Sequence, residues 1–134
     1  MGERYVLDSH AMMALLENEK GSQLVADLIT SDDTEIHMSV VNLGEVYYIV
    51  MREYGEESAV ELEEKVLQTG KIKIADAPWE RVKAAARLKT MGGLSFADCF
   101  GAALARELEA TLVTGDPEFE KLERTARFRV LWLA

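Results

Sequence analysis

Four acidic residues occupy positions from which a chain of alternating strands and helices can present ligands. Asp8 ends the first predicted strand, and Asp116 follows the fourth. Glu45 lies inside a strongly apolar helical segment, and Asp98 opens another predicted helix. Hard divalent cations prefer carboxylate oxygens, whereas one Cys and two scattered His are too few for an ordinary zinc site. The four acids therefore predict a magnesium or manganese site for phosphodiester hydrolysis.

Each of these acids also has a structural explanation. Asp116, directly before a proline, can cap a helix, and Asp98, three residues after Ser95, fits a capping box. Asp8 could cap the helix that follows the first strand. Glu45 needs a partner because its neighbours are apolar, and that partner could be an Arg or Lys. If all four acids converge, their mutual repulsion calls for a bound cation.

Alternating strands and helices must position these acids. Strand-like apolar spacing predicts five strands, at residues 4–8, 35–40, 71–75, 111–114 and 128–133. Helical spacing with boundary residues predicts helices at residues 9–17, 21–31, 43–52, 56–68, 78–90, 95–109 and 117–124. Such alternation predicts an α/β fold with a mostly parallel sheet and helices on both of its faces. Ligands of such folds bind at the carboxyl ends of the strands, where Asp8 and Asp116 are expected.

The composition is that of an ordinary globule, which we expect to form a single domain over residues 1–134. Apolar residues make up 49% of the chain and charged residues 29%, which disfavours a disordered class. Cys99 cannot form an internal disulfide, and the first residues lead into a strand rather than a signal peptide, so we expect a cytoplasmic protein. No apolar run approaches the roughly 20 residues that span a bilayer, so no membrane partner is expected.

The net charge of −9 works against a polyanionic partner, because nucleic-acid affinity normally depends on Lys and Arg that neutralise phosphates. Any contact with nucleic acid must therefore be local. Basic residues gather in segment 81–89, ahead of a Gly-Gly turn and Asp98. We hypothesise that Arg87, Lys89 or both hold RNA phosphates, and the alternative is that they are ordinary solvated charges.

Four segments resemble the PIN domains, and among these the small VapC-like toxin ribonucleases of prokaryotic toxin–antitoxin pairs. The segments are Tyr5–Ser9, Ser39–Val46, Leu94–Cys99 and Leu112–Phe119. Their order and spacing carry the resemblance, which spans essentially the whole chain. It implies that the metal-binding quartet consists of Asp8, Glu45, Asp98 and Asp116. It also implies that the Thr114 hydroxyl supports the site, and Ser9 is a weaker supporting residue.

The same resemblance implies a three-layer α/β/α sandwich around the five-stranded sheet, dependence on Mg²⁺ or Mn²⁺, and homodimerisation. It further implies inhibition by a small antitoxin that inserts side chains near the acidic site. Dimerisation usually needs exposed apolar surface, which a helical hairpin could supply. The apolar residues in question are Tyr47, Tyr48, Val50, Met51 and Tyr54, and each of them could equally belong to the core.

Two further residues invite a chemical interpretation. His10 follows Asp8 closely enough to suggest a catalytic base, and the alternative is a structural or surface histidine in a first helical turn. Cys99 adjoins Asp98, but no set of Cys, His and Asn accompanies it as a nucleophile would require. A small buried hydrophobic residue is the better interpretation of Cys99.

These observations favour a divalent-metal-dependent endoribonuclease, and the resemblance implies that it is the toxin of a toxin–antitoxin pair. One alternative is a catalytically silent PIN-like module that binds or scaffolds a partner. Another is a phosphomonoesterase that uses Asp8 as its nucleophile, but His10 stands where such enzymes carry a second Asp. The identity of the RNA or DNA that is cut, and whether one metal ion or two bind, stay open at the level of sequence.

Overall fold

Five parallel strands form the centre of the molecule. A computed structural model describes residues 2–125 and 128–133. The strands are β1 (Glu3–Leu7), β2 (Thr34–Ser39), β3 (Ile72–Ala75), β4 (Thr111–Thr114) and β5 (Val130–Trp132). They form one sheet in the order β3-β2-β1-β4-β5, and all four neighbouring pairs are parallel. The predicted parallel five-stranded sheet is confirmed.

Helices cover both faces of this sheet. They are α1 (Ser9–Leu16), α2 (Ser22–Thr30), α3 (Val40–Tyr54), α4 (Glu56–Thr69), α5 (Trp79–Lys89), α6 (Phe96–Glu107) and α7 (Glu120–Thr125). A single 3-10 turn, Pro117–Phe119, separates β4 from α7. Within the described part of the chain, no helix is both long enough and apolar enough to cross a membrane.

The side chains of the strands alternate between two separate cores. Val6 and Leu112, which are paired in register, pack with α5 and α6, whereas the next pair, Leu7 and Val113, packs with α1 to α4. All four of these side chains are fully buried. Because strand residues are apolar on both faces, the sheet must be covered on both sides. This arrangement is the three-layer α/β/α sandwich.

The strand order changes direction at β1, and this places a crevice at the carboxyl edge of the sheet. From β1 the chain passes to β2 and β3 on one side, then crosses to β4 and β5 on the other. In an open parallel sheet, the carboxyl ends of strands diverge at such a switch point and leave room for a ligand. Asp8 follows β1 and Asp116 follows β4, so both acids border this crevice.

Two element boundaries differ by three residues from the sequence-based prediction, and the others differ by less. The third helix begins at Val40 rather than residue 43, because Ser39 ends β2 and accepts a hydrogen bond from the Val41 amide at 3.2 Å as an N-cap. The predicted helix from Pro117 begins instead as a 3-10 turn, with the α-helical part starting at Glu120. Both differences concern capping residues whose hydrogen bonds override the apolar periodicity.

Candidate metal centre

Asp8 lies at the centre of the crevice and is 1% exposed. Its Oδ1 accepts a hydrogen bond from the Ala11 amide at 2.8 Å, so Asp8 does cap α1. Its Oδ2 is buried and has no hydrogen-bond partner among the described residues. Burying a carboxylate oxygen without a hydrogen-bond partner costs free energy, so its presence calls for a functional explanation. The helix cap therefore explains Oδ1 of Asp8 but not Oδ2.

Asp98 approaches from the first turn of α6 and is 8% exposed. Its amide donates to the Ser95 hydroxyl at 3.1 Å, which is one of the two hydrogen bonds of the predicted capping box. Behind it, the fully buried Asn42 ties α3 to α6, because its Nδ2 donates to the Ala97 carbonyl at 3.1 Å. Asn42 therefore fixes the start of the helix that carries Asp98.

Asp116 and a fifth acid, Glu118, face Asp98 from the turn after β4. The carboxylate oxygens of these three residues lie within 4.8 Å of one another. The Asp116 Oδ1 accepts from the Glu118 amide at 2.9 Å, and the Asp116 amide donates to the Thr114 Oγ1 at 3.0 Å. Glu118 was missed at the level of sequence, because an acid in a first helical turn ordinarily complements the helix dipole.

Glu45 approaches the crevice from α3 and is partly buried. Its carboxylate accepts a hydrogen bond from the Ser9 hydroxyl. No Arg or Lys within residues 2–125 and 128–133 forms a salt bridge with it, so the alternative of a neutralising cationic side chain is not observed. Ser9 thus holds the carboxylate of Glu45, whose charge acts on Asp98.

Burial and mutual repulsion act on the two most enclosed acids. Burial raises the pKa of Asp8 from 3.8 to about 7, the Thr114 hydroxyl and the Ala11 amide oppose this, and the charges of Asp98 and Asp116 add to it. Burial also raises the pKa of Asp98 from 3.8 to about 6. The charges of Asp116, Glu45 and Glu118 contribute to this rise to about 6, and the hydrogen bond with Ser95 opposes it.

The donor set fits a hard divalent cation. The three converging acids, Asp98, Asp116 and Glu118, offer oxygen ligands. The buried, unpartnered Oδ2 of Asp8 lies close enough for the charges of Asp98 and Asp116 to raise the Asp8 pKa. Mg²⁺ and Mn²⁺ prefer such ligands, and a cation would remove the repulsion that raises both pKa values. Cys99 is fully buried, in keeping with its interpretation as a small hydrophobic residue.

Most of the predicted basic cluster has structural partners. Arg81 contacts Asp76 at 2.8 Å and Glu107 at 3.0 Å, and thereby links the start of α5 to the end of α6. Lys89 Nζ donates to the Leu94 carbonyl at 2.7 Å and so fastens the loop that precedes Asp98. Arg87 is exposed, and no described residue forms an ion pair with it.

Comparison with known proteins identifies relatives of this architecture. The family model of the PIN domain matches residues 5–125. VapBC2 from Rickettsia felis, solved with a DNA fragment from its promoter, has a TM-score of 0.74 at 18% identity, covering 98% of this chain and 99% of that one. The sarcin-ricin loop cleaving toxin VapC20 from Mycobacterium tuberculosis also has a TM-score of 0.74 at 18% identity, covering 88% and 94%. Comparison with curated protein sequences gave no significant match.

The metal-free protein should lose stability as the pH rises from about 5 to about 8. The folded-state pKa values of Asp8 and Asp98, about 7 and about 6, exceed their ordinary value of 3.8. The folded chain therefore binds these protons more tightly than the unfolded chain, and this stabilisation disappears as the pH rises through the folded-state values. We expect a loss of at least about 1 kcal/mol, measured as the melting temperature in EDTA.

The Asp8→Asn variant should flatten this dependence, because an amide does not ionise. The exposed Asp32→Asn serves as the matched control and should keep the wild-type profile. Equal profiles for wild type and Asp8→Asn would show that Asp8 is not the group responsible.

Proposed function

The chain belongs to the PIN domain family, and we propose that it is a divalent-metal-dependent endoribonuclease. The observation that carries this proposal is the buried, unpartnered Oδ2 of Asp8 in a crevice bordered by further acids. A scaffold without catalysis has no need of a buried carboxylate at such a cost. We also propose that residues 1–134 form a single nuclease domain that acts in the cytoplasm.

In this proposal, Asp8, Glu45, Asp98 and Asp116 hold Mg²⁺ or Mn²⁺. When bound, such an ion polarises a phosphoryl oxygen and lowers the pKa of a coordinated water. Thr114 supports the site, since its hydroxyl oxygen fixes the amide of Asp116 and its proximity lowers the pKa of Asp8. In-line attack by water with the 3′-oxygen as leaving group would give a 5′-phosphate and a 3′-hydroxyl.

Replacing Asp98 by Asn should abolish metal-dependent cleavage of RNA. The amide keeps the size of the side chain but removes the charge that holds the ion, and a loss of about 3 kcal/mol corresponds to at least a 100-fold lower rate. Cleavage of end-labelled structured RNAs would be compared with Mg²⁺, with Mn²⁺ and with EDTA. Circular dichroism checks that both proteins are folded, and Asp32→Asn is the charge-matched control.

Cleavage by wild type in metal but not in EDTA, with loss in Asp98→Asn alone, would support the nuclease. If the folded, partner-free wild type cuts none of a broad RNA panel with either metal, the binding-module alternative is the better one. Cleavage of single-stranded DNA in the same assay would widen the substrate class.

Arg87 and Lys89 differ in their expected contribution to RNA binding. Both residues are candidates for holding RNA phosphates near Asp98, but the Lys89 ammonium already donates a hydrogen bond to the Leu94 carbonyl. Arg87 is exposed at the end of α5 and is therefore the better phosphate ligand of the two.

Arg87→Ala should weaken RNA binding, with metal binding unchanged. The slope of log affinity against log salt concentration should fall by about one, as expected for the loss of one phosphate contact. Lys89→Ala should instead lower the free energy of unfolding by about 1 kcal/mol, because it removes a hydrogen bond that fastens the loop. Fluorescence anisotropy over a salt series and urea denaturation measure the two effects. Identical RNA affinities for Arg87→Ala and wild type would exclude the phosphate contact.

The similar structures also favour protein partners. One of them is a toxin–antitoxin complex from Klebsiella pneumoniae, with a TM-score of 0.71 at 12% identity, covering 97% of this chain and 98% of that one. We propose that this chain is the toxin of such a pair and that part of a small antitoxin occupies an apolar groove of about 530 Å³. None of the four acids lines this groove, so it would bind a different part of the antitoxin from the side chains expected near the acidic site. Its lining, from α1 to α4, includes Met12, Leu15, Leu16, Ile29, Tyr54 and Leu62.

A different face of α3 is available for the proposed homodimer. Tyr48 is 53% exposed and Met51 is 36% exposed, and neither lines the groove. Val50, which the sequence offered for dimerisation, belongs to the core at 5% exposure. Tyr54 faces the groove side, where its hydroxyl donates to Glu17 at 2.8 Å.

Two variants that each introduce a charge should distinguish the role of the groove from that of the exposed face of α3. Leu16→Asp should weaken the complex with a small protein encoded immediately upstream, because it places a charge in the apolar groove. Tyr48→Asp should dissociate the dimer at micromolar concentration and leave that complex intact. Co-purification and light scattering measure the two states, and each variant is the control for the other. A dimer that survives Tyr48→Asp would place the interface elsewhere.

A further inference from the structure

His10 lies at the rim of the acidic crevice, where the metal site does not use it. It is the second residue of α1, two positions after Asp8, and its side chain is exposed. The imidazole lies against the backbone of Gly115, between Thr114 and Asp116. A methyl group built on Gly115 would be 2.5 Å from His10 Cε1 and 3.0 Å from Nδ1. The ring therefore occupies the space that a side chain would take.

Gly115 has no conformational reason to be glycine. Its φ does not lie in the left-handed region, unlike that of Gly92 or Gly93 in the loop before α6. Alanine would fit the backbone without strain, so the missing side chain serves the close approach of the imidazole. The imidazole of His10 thus packs against Gly115, in the turn that carries Asp116, and we call this contact the seat of His10.

The ring nitrogens of His10 are available for a ligand. Among the described residues, none forms a hydrogen bond or an ion pair with them. The nearby hydroxyls are already used, since Ser9 donates to Glu45 and Thr114 interacts with Asp116 and Asp8. An imidazole always carries at least one N–H donor. His10 is therefore an exposed donor beside a site composed of carboxylates.

We propose that His10 is a substrate-contacting residue whose imidazole N–H donates a hydrogen bond to an RNA phosphate adjoining the scissile one. This inference rests on the proposed ribonuclease function. A chain with a net charge of −9 repels phosphates in general, and the acids do so most strongly at the crevice itself. A donor that is fixed by packing, and needs no positive charge, can hold a phosphate there.

The structure allows this to be tested by a double-mutant cycle. His10→Ala removes the donor, Gly115→Ala pushes the ring from its seat, and the double variant has space for the new methyl group. We expect each single variant to bind a fluorescein-labelled single-stranded RNA of mixed sequence roughly 3- to 10-fold more weakly, in Ca²⁺ with the RNA intact. The double variant should bind no more weakly than His10→Ala, because both changes act through the same contact.

Two controls separate this contact from damage to the metal site. Mn²⁺ affinity, followed by electron paramagnetic resonance, should be the same in all four proteins. His37, the second of the two histidines, lies in β2 beside Glu35 at 3.4 Å and is the internal reference in the NMR spectrum. Added RNA should shift the His10 ring resonances and leave those of His37 unchanged.

Three outcomes would overturn the proposal. If His10→Ala binds RNA as tightly as a wild type that binds and cleaves, His10 does not contact the RNA, and the proposed nuclease function still stands. A further loss on adding Gly115→Ala to His10→Ala shows that Gly115 acts through the turn of Asp116 rather than through the imidazole. A wild type that neither binds nor cuts RNA removes the proposed function and the His10 contact together.

Discussion

Concentrated negative charge at one edge of a parallel sheet is the constraint on which the rest of this structure depends. Asp8 is buried to 1% exposure with one oxygen unpartnered, and three other carboxylates converge within 4.8 Å. Backbone amides offset part of this charge. The Ala11 amide donates to one oxygen of Asp8, and the Glu118 amide donates to one oxygen of Asp116. The negative charge that these amides leave unbalanced is charge that a bound cation would neutralise.

The layout of the sheet was predictable because its strands are apolar on both faces and its boundaries carry Ser, Asp or Gly. The acids at the ends of β1 and β4 could be placed for the same reason. Glu118 could not, since its approach to Asp98 depends on the tight turn after Asp116 rather than on periodicity. The seat of His10 on Gly115 likewise joins two segments whose proximity only the β1–β4 pairing creates.

The positive charges illustrate a different limit of sequence reasoning. A cluster of basic residues before Asp98 suggested a phosphate-binding patch, but Arg81 links two helices and Lys89 fastens a loop. Side chains of this kind stabilise the scaffold that orients the acids. An anionic substrate would consequently meet few free cations at this edge, and its orientation would depend on individual, well-placed donors.

The pairing of β1 with β4 also has a consequence for biosynthesis. Tyr5 pairs with Thr111, so the two sides of the crevice come from segments that are widely separated in the sequence. Long-range parallel pairing is slow to form, and domains emerge from the ribosome from the N-terminus onward. A nascent chain that has not yet released β4 lacks Asp116 and Glu118 and therefore has no complete acidic crevice. Assembly of the acidic centre therefore waits until β4 and the turn after it have left the ribosome.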